Sequence, residues 1–229
     1  MKKYGLFFSA MLLGLLLLLV ACGGEEAANS ADTSTGESAV NQSKESADYE
    51  ETEIRLAYNL PQDHHVAVGV EKFAENVTKK SGGKVNVQVY PAGQLLSDTE
   101  MNDSLLSGGV EIGVNSSTLW ADIVPAMGIF DVPYAFTDYE SAGNALNGEL
   151  GDILREAMEE KGAKVLMFAD YGFVQFANNK HPLKSPDDFK GLKIRSIGDI
   201  PSVMIKAYGA SPVFMGGGEV YMGLQRNTV

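Results

Sequence analysis

The spacing of apolar and polar positions changes at regular intervals from residue 54 onward. A short apolar run at 54–59 predicts a β-strand. Apolar residues then recur three or four positions apart, as on one face of a helix: Val66, Val70, Phe73, Ala74 and Val77. Valines alternate with other residues at 85–90, and this pattern predicts a second strand with one covered face.

The alternation of strand and helix patterns continues through the first half of the chain. A helical pattern that includes 100–106 leads to a third apolar run at 110–115, which gives the order β-α-β-α-β. This order predicts a largely parallel sheet with helices on both faces, and ligands of such sheets lie beyond the carboxyl ends of the strands. A helix at 150–161 and a strand at 163–169 are predicted to follow.

A turn-rich segment at 178–182 leads into a second, shorter region. Its predicted elements are strands at 192–195 and 211–214, a helix near 202–208 and a helix that begins near Glu219. The sequence therefore predicts an α/β protein with two units, at 54–170 and 171–229. Because the second unit is too short for an independent hydrophobic core, we expect it to be truncated or to pair with another segment.

The first residues have the order of an export signal. Lys2 and Lys3 precede an uncharged, leucine-rich stretch at 4–21, and Cys22 follows directly after small residues. This pattern predicts a lipoprotein signal peptide at 1–21, with Cys22 as the lipid attachment point on the outer face of the membrane. The alternative is a transmembrane helix, since the uncharged stretch is near the lower length limit for crossing a bilayer.

Residues 22–53 are predicted to be an acidic tether without secondary structure. After Cys22 this segment contains nine acidic residues and one lysine, and few apolar side chains that would offset the entropy of ordering it. Much of the net charge of -12 therefore lies outside the α/β units. Lysines and arginines are scattered along the chain, which argues against a nucleic acid partner.

Few residues suggest catalytic or metal chemistry. His64 and His65 are adjacent, so a shared metal site would need ligands from elsewhere, and we expect turn residues rather than ligands. Cys22 is the only cysteine, and no Gly-x-Ser-x-Gly motif is present, so we expect no enzyme activity, no metal and no cofactor. The glycines at 216–218 fit either a tight connection or an anion cradle.

Arg195 is the strongest candidate for ligand binding. It ends a predicted strand on the polar side, where an arginine can hold a carboxylate with two parallel hydrogen bonds. A surface ion pair is the alternative interpretation. Several aromatic residues fit either an organic pocket or the hydrophobic core: Trp120, Phe130, Tyr134, Phe136 and Tyr139.

A series of short motifs runs in order through 54–229. They are Gly82-Gly83-Lys84, Val89-Tyr90-Pro91, Gly93-Gln94-Leu95 with Asp98 and Glu100-Met101, Phe130-Asp131-Val132-Pro133-Tyr134, Lys190-Gly191-Leu192-Lys193-Ile194-Arg195, and Glu219-Val220-Tyr221 with Leu224-Gln225. In order and spacing this series resembles the DctP family of solute-binding proteins of TRAP transporters.

The resemblance implies a two-lobed, type II periplasmic-binding-protein fold, with a nearly complete first lobe and a truncated second lobe. The lobes would close over a small organic acid and deliver it to the small and large permease subunits in the membrane. The resemblance also implies that Arg195 pairs with the ligand carboxylate. In the sialic-acid branch of the family, ligand positions align with Asn59, Asp98 and Ser116.

The sequence departs from the family pattern at Val174. Many members have a second arginine after the hinge pair that corresponds to Gly172-Phe173, so neutralisation of the ligand is expected to rest mainly on Arg195. A ligand-sensing module of a signalling system and a substrate-binding lipoprotein of an ABC transporter are the alternative functions. An exported enzyme has no supporting motif.

Overall fold

A parallel three-stranded sheet forms the framework of the first half of the described chain. Its strands are β1 (Thr52–Tyr58), β2 (Val85–Tyr90) and β3 (Ile112–Val114), in the order β2-β1-β3. Leu56 lies opposite Val89 on one side and Ile112 on the other. The predicted β-α-β-α-β order is confirmed.

The computed structural model describes residues 48–229. The predicted signal peptide, Cys22 and most of the predicted tether lie outside the described residues. The end of the tether differs from the expectation, because β1 begins at Thr52, inside 22–53. Thr52 pairs with Val85 and Glu53 pairs with Asn86. Strand pairing satisfies the main chain whatever the polarity of the side chains, and this explains the longer strand.

Two helices connect the strands of this sheet. They are α1 (His65–Lys80) and α2 (Asp98–Leu106). The α1 helix begins where the His64 ring accepts a hydrogen bond from the amide of Val66, and Lys79 and Lys80 lie in its last turn, where they complement the helix dipole. Its apolar face packs on the sheet through Ala67 and Val70, which lie in one cluster with Leu56 and Tyr58.

A helical region follows the sheet and contains a second core cluster. Its elements are α3 (Ser117–Trp120), a 3-10 helix at Pro125–Asp131, α4 (Tyr139–Leu146) and α5 (Glu149–Glu159). Trp120, Val124 and Met127 pack against Leu154 and Met158 of α5. The α5 helix confirms the helix predicted at 150–161, whereas α3 and α4 were not predicted.

The predicted strand at 163–169 is wrong, because this segment forms no strand pairing within residues 48–229. Ala163, Val165 and Phe168 pack against the core cluster around Trp120, whereas Leu166 and Met167 are exposed. Packing on this cluster therefore explains only part of the apolar run.

A second parallel sheet contains β4 (Lys193–Ser196) and β5 (Ser211–Phe214), which are connected by α6 (Asp199–Ala207). Phe189, Leu192, Ile205 and Ala210 form its small core. A 3-10 helix at Pro186–Phe189 precedes it, and a 3-10 helix at Gly217–Glu219 and the helix α7 (Val220–Gln225) follow it. The α/β class is confirmed. Between residues 48 and 229, no helix has the length and apolar character needed to cross a membrane.

Candidate functional site

A cleft with a volume of about 380 Å³ lies beyond the carboxyl end of β1. It brings together the residue that follows β1, the loop after β2, the first turn of α2 and one glycine from the second sheet region. The lining residues are Asn59, Ala92, Gly93, Leu95, Leu96, Ser97, Asp98, Glu100 and Gly218. Two of the residues predicted from the sequence, Asn59 and Asp98, are therefore neighbours in one site.

Asn59 holds the loop that precedes α2. With its amide group in the orientation that satisfies both atoms, Nδ2 donates to the carbonyl oxygen of Leu96 at 2.9 Å, and Oδ1 accepts from the amide of Asp98 at 3.1 Å. Gly93 has a φ of 73°, and a Cβ atom there would lie 2.7 Å from the Asn59 amide group. A glycine is therefore needed for this loop to approach Asn59.

Asp98 joins two distant parts of the chain. Its Oδ2 accepts a hydrogen bond from the amide of Gly217 at 2.8 Å, across 119 positions in the sequence. Its Oδ1 accepts from the amide of Thr99 at 3.0 Å. Both carboxylate oxygens are thus bonded to main-chain N–H groups of the protein itself.

Two of the three glycine amides at 216–218 donate to carboxylates of the protein itself. Gly217 donates to Asp98, and Gly216 donates to Oε2 of Glu219 at 3.1 Å. The segment is therefore a tight connection between β5 and α7, which is one of the two interpretations, and two of its amides already bind carboxylate oxygens of the protein.

Ser116 does not line the cleft. Its hydroxyl accepts from the amide of Thr118 at 3.2 Å and caps α3, and the residue is exposed at the end of the strand β3. The sequence analysis missed its neighbour Asn115. The Asn115 Nδ2 atom donates to the carbonyl of Asp98 at 2.9 Å and to Oδ1 of Asn102 at 2.8 Å. Asn115 thereby ties the end of β3 to the first turn of α2.

Arg195 lies outside the lining of the cleft, on β4, and is half-buried. Its Nε donates to the carbonyl oxygen of Met215 at 2.9 Å. Within residues 48–229 its guanidinium forms no ion pair and its Nη atoms have no hydrogen-bond acceptor. The alternative interpretation of Arg195 as part of a surface ion pair is therefore wrong for the described chain.

The cleft itself is acidic. The hydroxyl and amide of Ser97 hold the pKa of Glu100 below its ordinary value, so this carboxylate is ionised at neutral pH. Glu100 and Ser97 form the capping box of α2, which fixes the first turn that carries Asp98. Among the described residues, the lining therefore contains two carboxylates, Asp98 and Glu100, and no basic side chain.

The aromatic candidates divide between core and surface. Trp120 is buried in the core, and Phe130 packs against the same cluster and stacks on Phe136 at 5.7 Å. Tyr134 is 88% exposed, and Tyr139 is exposed and lies 4.9 Å from the ring of Phe173. None of the five lines the cleft.

The expectation of turn residues is wrong for His65, which is the first residue of α1, and His64 caps that helix. The His64 ring stacks on His65 at 4.4 Å and on Tyr171 at 5.0 Å, and Nε2 of His65 lies 2.8 Å from the carbonyl oxygen of Asp170. These contacts join the start of α1 to the segment around the predicted hinge. In that segment the side chain of Val174 is 81% exposed.

The sequence and the fold match one family of transport proteins. A family model described as "Bacterial extracellular solute-binding protein, family 7" (DctP) matches residues 56–229. The C4-dicarboxylate-binding protein DctB of Bacillus subtilis is 36% identical over 158 residues, which are 69% of this chain and 44% of DctB.

Two solved structures of similar proteins superpose well on this chain. A TRAP periplasmic solute-binding protein from Sulfurospirillum deleyianum with bound succinate is 32% identical, with a TM-score of 0.76 over 79% of this chain and 59% of that chain. The sugar acid binding protein DctPAm from Advenella mimigardefordensis, in complex with galactonate, is 31% identical, with a TM-score of 0.76 over 80% of this chain and 59% of that chain. The chain spans about half the length of the curated relatives it matches.

Proposed function

We propose, from the premise that this chain belongs to family 7 of the bacterial extracellular solute-binding proteins, that it captures a small organic acid outside the cytoplasm. It would deliver the acid to the small and large permease subunits of a TRAP transporter. The chain binds and releases its ligand without breaking a bond, so it is not an enzyme. Relatives with bound succinate and galactonate support a carboxylate as the recognised group.

The state of Arg195 is the observation that carries the proposal. Its Nε atom is fixed by Met215, and its two Nη atoms have no protein acceptor among residues 48–229. An arginine held in this way presents a planar pair of donors that matches the two oxygens of a carboxylate. Because the arginine is half-buried, we expect its truncation to cost about 2 to 5 kcal/mol of binding free energy.

The other proposed ligand residues are Asn59, Asp98 and Ser116. Asn59 and Asp98 share the cleft beyond β1, where ligands of parallel sheets are bound. Ser116 follows β3, which is the neighbouring strand in the same sheet. In this arrangement the polar groups at the strand ends fix the orientation of the acid, and Arg195 supplies the charge.

Cys22 is proposed as the lipid anchor of the receptor. Export and lipidation would place the protein on the outer face of the cytoplasmic membrane, next to the permease subunits. The test is metabolic labelling with a fatty acid that carries an alkyne group. Labelling of the protein that is lost in Cys22→Ala supports the anchor, and equal labelling of both proteins contradicts it.

A thermal-shift screen tests the binding function. The purified protein is heated with succinate, galactonate, galacturonate and other organic acids. A ligand at about a hundred times its Kd should stabilise the protein by roughly 3 kcal/mol, which is a shift of several degrees.

Arg195→Ala should abolish most of that shift, and Arg226→Ala is the matched control. Arg226 is exposed, and its side chain makes no ion pair within the described part of the chain. A ligand-induced thermal shift of equal size in Arg195→Ala and in the wild-type protein would contradict the role of Arg195. The absence of any shift in a folded protein across the whole panel would contradict the proposed function.

A further inference from the structure

The bond between Asp98 and Gly217 connects the region of the first sheet to the region of the second. Asp98 begins α2, which follows β2, and Gly217 begins the 3-10 helix that follows β5. We infer that Asp98 is a latch that holds these two regions together across the cleft, in addition to its proposed place in the ligand site.

The carboxylate of Asp98 is already fully committed to the protein. One oxygen accepts from Gly217 at 2.8 Å, and the other accepts from Thr99 at 3.0 Å. The amide of Asp98 donates to Asn59, and its carbonyl accepts from Asn115. Every polar group of this residue therefore has a protein partner, and the side chain is fixed in the position that meets Gly217.

The partner side of the latch is equally well fixed. Two hydrogen bonds hold Met215, which lies two positions before Gly217. Its carbonyl accepts from Nε of Arg195, and its amide donates to the carbonyl of Ser196 at 3.1 Å. A displacement of Asp98 is thereby transmitted through Gly217 and Met215 to β4, the strand that carries Arg195.

The two glycines permit this close approach. A Cβ atom at position 216 would lie 2.9 Å from Oδ1 of Asp98, and one at position 217 would lie 3.2 Å from Oδ2. Either distance is too short for an unstrained contact, so the carboxylate would have to move. The latch therefore needs two features of the sequence. One is the carboxylate of Asp98 at the first position of α2, and the other is the absence of side chains at Gly216 and Gly217, which lets the main chain approach that carboxylate.

The latch has a consequence for ligand exchange, and this part rests on the proposed function. Gly218 and Asp98 line the same cleft, so the Asp98–Gly217 bond joins two sides of the ligand site. Loss of the bond should favour separation of these sides and accelerate ligand release. The equilibrium between the joined and separated arrangements should shift by about tenfold, since one charge-assisted hydrogen bond at a partly exposed site is lost.

Hydrogen exchange at the Gly217 amide tests the latch without any ligand. The measurement uses amide NMR of the purified protein and of Asp98→Ala, with Asp103→Ala as the matched control. Asp103 lies on the same helix, is exposed, and its side chain makes no hydrogen bond or ion pair with residues 48–229. We expect Gly217 exchange to accelerate about tenfold in Asp98→Ala and to remain unchanged in Asp103→Ala.

A second variant approaches the same bond from the other side. Gly216→Ala keeps the carboxylate but displaces it, so it should also accelerate exchange at Gly217, and it decides the question if Asp98→Ala does not fold. Unchanged Gly217 exchange in a folded Asp98→Ala or Gly216→Ala protein would overturn the latch. Faster release of a bound acid in these variants, measured by stopped-flow fluorescence, would extend the latch to ligand exchange, whereas failure to bind any acid would contradict only the proposed function.

Discussion

The Nε–H group of Arg195 donates a hydrogen bond to the main-chain carbonyl oxygen of Met215, with 2.9 Å between Nε and the oxygen. This bond holds the guanidinium on the side that carries Nε. The two residues lie on β4 and directly after β5, which are neighbouring parallel strands. Because Nε is used in this bond, a carboxylate would have to approach the guanidinium from its end, where the two Nη atoms lie. For the proposed carboxylate ligand, this leaves a contact through the two Nη atoms.

Arg195→Lys should therefore impair binding almost as strongly as Arg195→Ala. A lysine keeps the charge, but it cannot donate to Met215 and offer two parallel donors at the same time. We expect the affinity for the best organic acid of the screen to fall at least about tenfold, as measured by isothermal titration calorimetry. Arg226→Lys makes the same change at an exposed position and should leave the affinity unchanged. Full affinity in Arg195→Lys would show that charge alone suffices.

Asp131→Asn should stabilise the protein at neutral pH. One oxygen of Asp131 accepts from the hydroxyl of Thr118 at 2.7 Å, and the other is buried without a partner among the described residues. Burial raises the pKa of this carboxyl, more than the Thr118 hydroxyl lowers it. The ionised side chain therefore costs folding free energy near pH 7, and a neutral amide at the same place costs less to bury.

The pH dependence distinguishes this explanation from a general effect of the amide. Because the pKa of Asp131 in the folded protein lies above 3.8, its contribution to stability is greatest below pH 3.8 and is lost as the pH rises through the folded pKa. Urea denaturation should therefore show a stabilising effect of Asp131→Asn at pH 7 that shrinks as the pH approaches 3.8. A benefit of equal size at both pH values would contradict this origin.

The pattern of the sequence predicts most of the helices and strands because apolar residues recur along them at the period of the element. The strand β5 has the predicted bounds, and α1 contains every apolar residue on which its prediction was based. The short helices α3 and α4 were missed, since four and eight residues give too little periodicity. The strand at 163–169 was wrongly predicted because alternation indicates burial but does not supply a neighbouring strand.

The candidate site was predicted only in part, because some of its contacts join distant positions through main-chain groups. Asn59 and Asp98 follow parallel strands in the sequence and are neighbours in the structure, as such topology requires. The bond from Asp98 to Gly217 spans 119 positions and involves a main-chain amide, so no side-chain motif encodes it. Asn115 was missed because it acts on a carbonyl group, although its place directly after β3 was a usable signal. The ligand roles of Arg195, Asn59, Asp98 and Ser116 stay predictions.

Two glycine substitutions should have opposite effects on stability. Gly69 lies on the exposed side of α1, and a Cβ atom there would have open space, whereas a Cβ atom at Gly151 in α5 would overlap the carbonyl of Leu146. Gly69→Ala should stabilise the protein by about 0.5 to 1 kcal/mol, because alanine loses less entropy in a helix. Gly151→Ala should destabilise it by more than that amount. Chemical denaturation measures both, and a stabilising Gly151→Ala would contradict the packing at the start of α5.

The ion pair between Arg55 and Glu111 should contribute to stability only above a defined pH. Nη2 of Arg55 lies 2.6 Å from Oε1 of Glu111, and the Arg55 amide donates to the same carboxylate. The hydrogen bonds from Arg55 lower the pKa of Glu111 from 4.5 to about 2. This contribution is therefore present above pH 4.5 and is lost as the pH falls through 2.

Glu111→Gln tests that window. The variant should be slightly less stable than the unmodified protein at pH 7, since solvent screens a pair of this exposure, and the difference should disappear near pH 2. Glu75→Gln on α1 is the control, because its side chain forms no ion pair within residues 48–229. A difference that persists at pH 2 would mean that the glutamine disturbs packing rather than charge.

The hydrogen bond from Tyr58 to Glu71 should make the protein sensitive to alkali. Tyr58 is 1% exposed, and its hydroxyl donates to Oε1 of Glu71 at 2.8 Å. Burial, together with the bond to the Glu71 carboxylate, raises the pKa of Tyr58 from 10.0 to about 12. The unfolded chain ionises this tyrosine near pH 10 and the folded chain does not, so the stability that it contributes is complete below pH 10 and is lost as the pH rises to 12.

Tyr58→Phe should lose about 1 kcal/mol of stability at pH 7, because Glu71 loses its hydrogen-bond donor. The stability of the variant should fall less steeply between pH 10 and 12 than that of the wild-type protein. Urea denaturation at pH 7, 10 and 11 measures this difference, with Tyr221→Phe, which changes a 75% exposed tyrosine, as the control. Equal slopes for Tyr58→Phe and the unmodified protein above pH 10 would rule out Tyr58 as the source of the alkaline sensitivity.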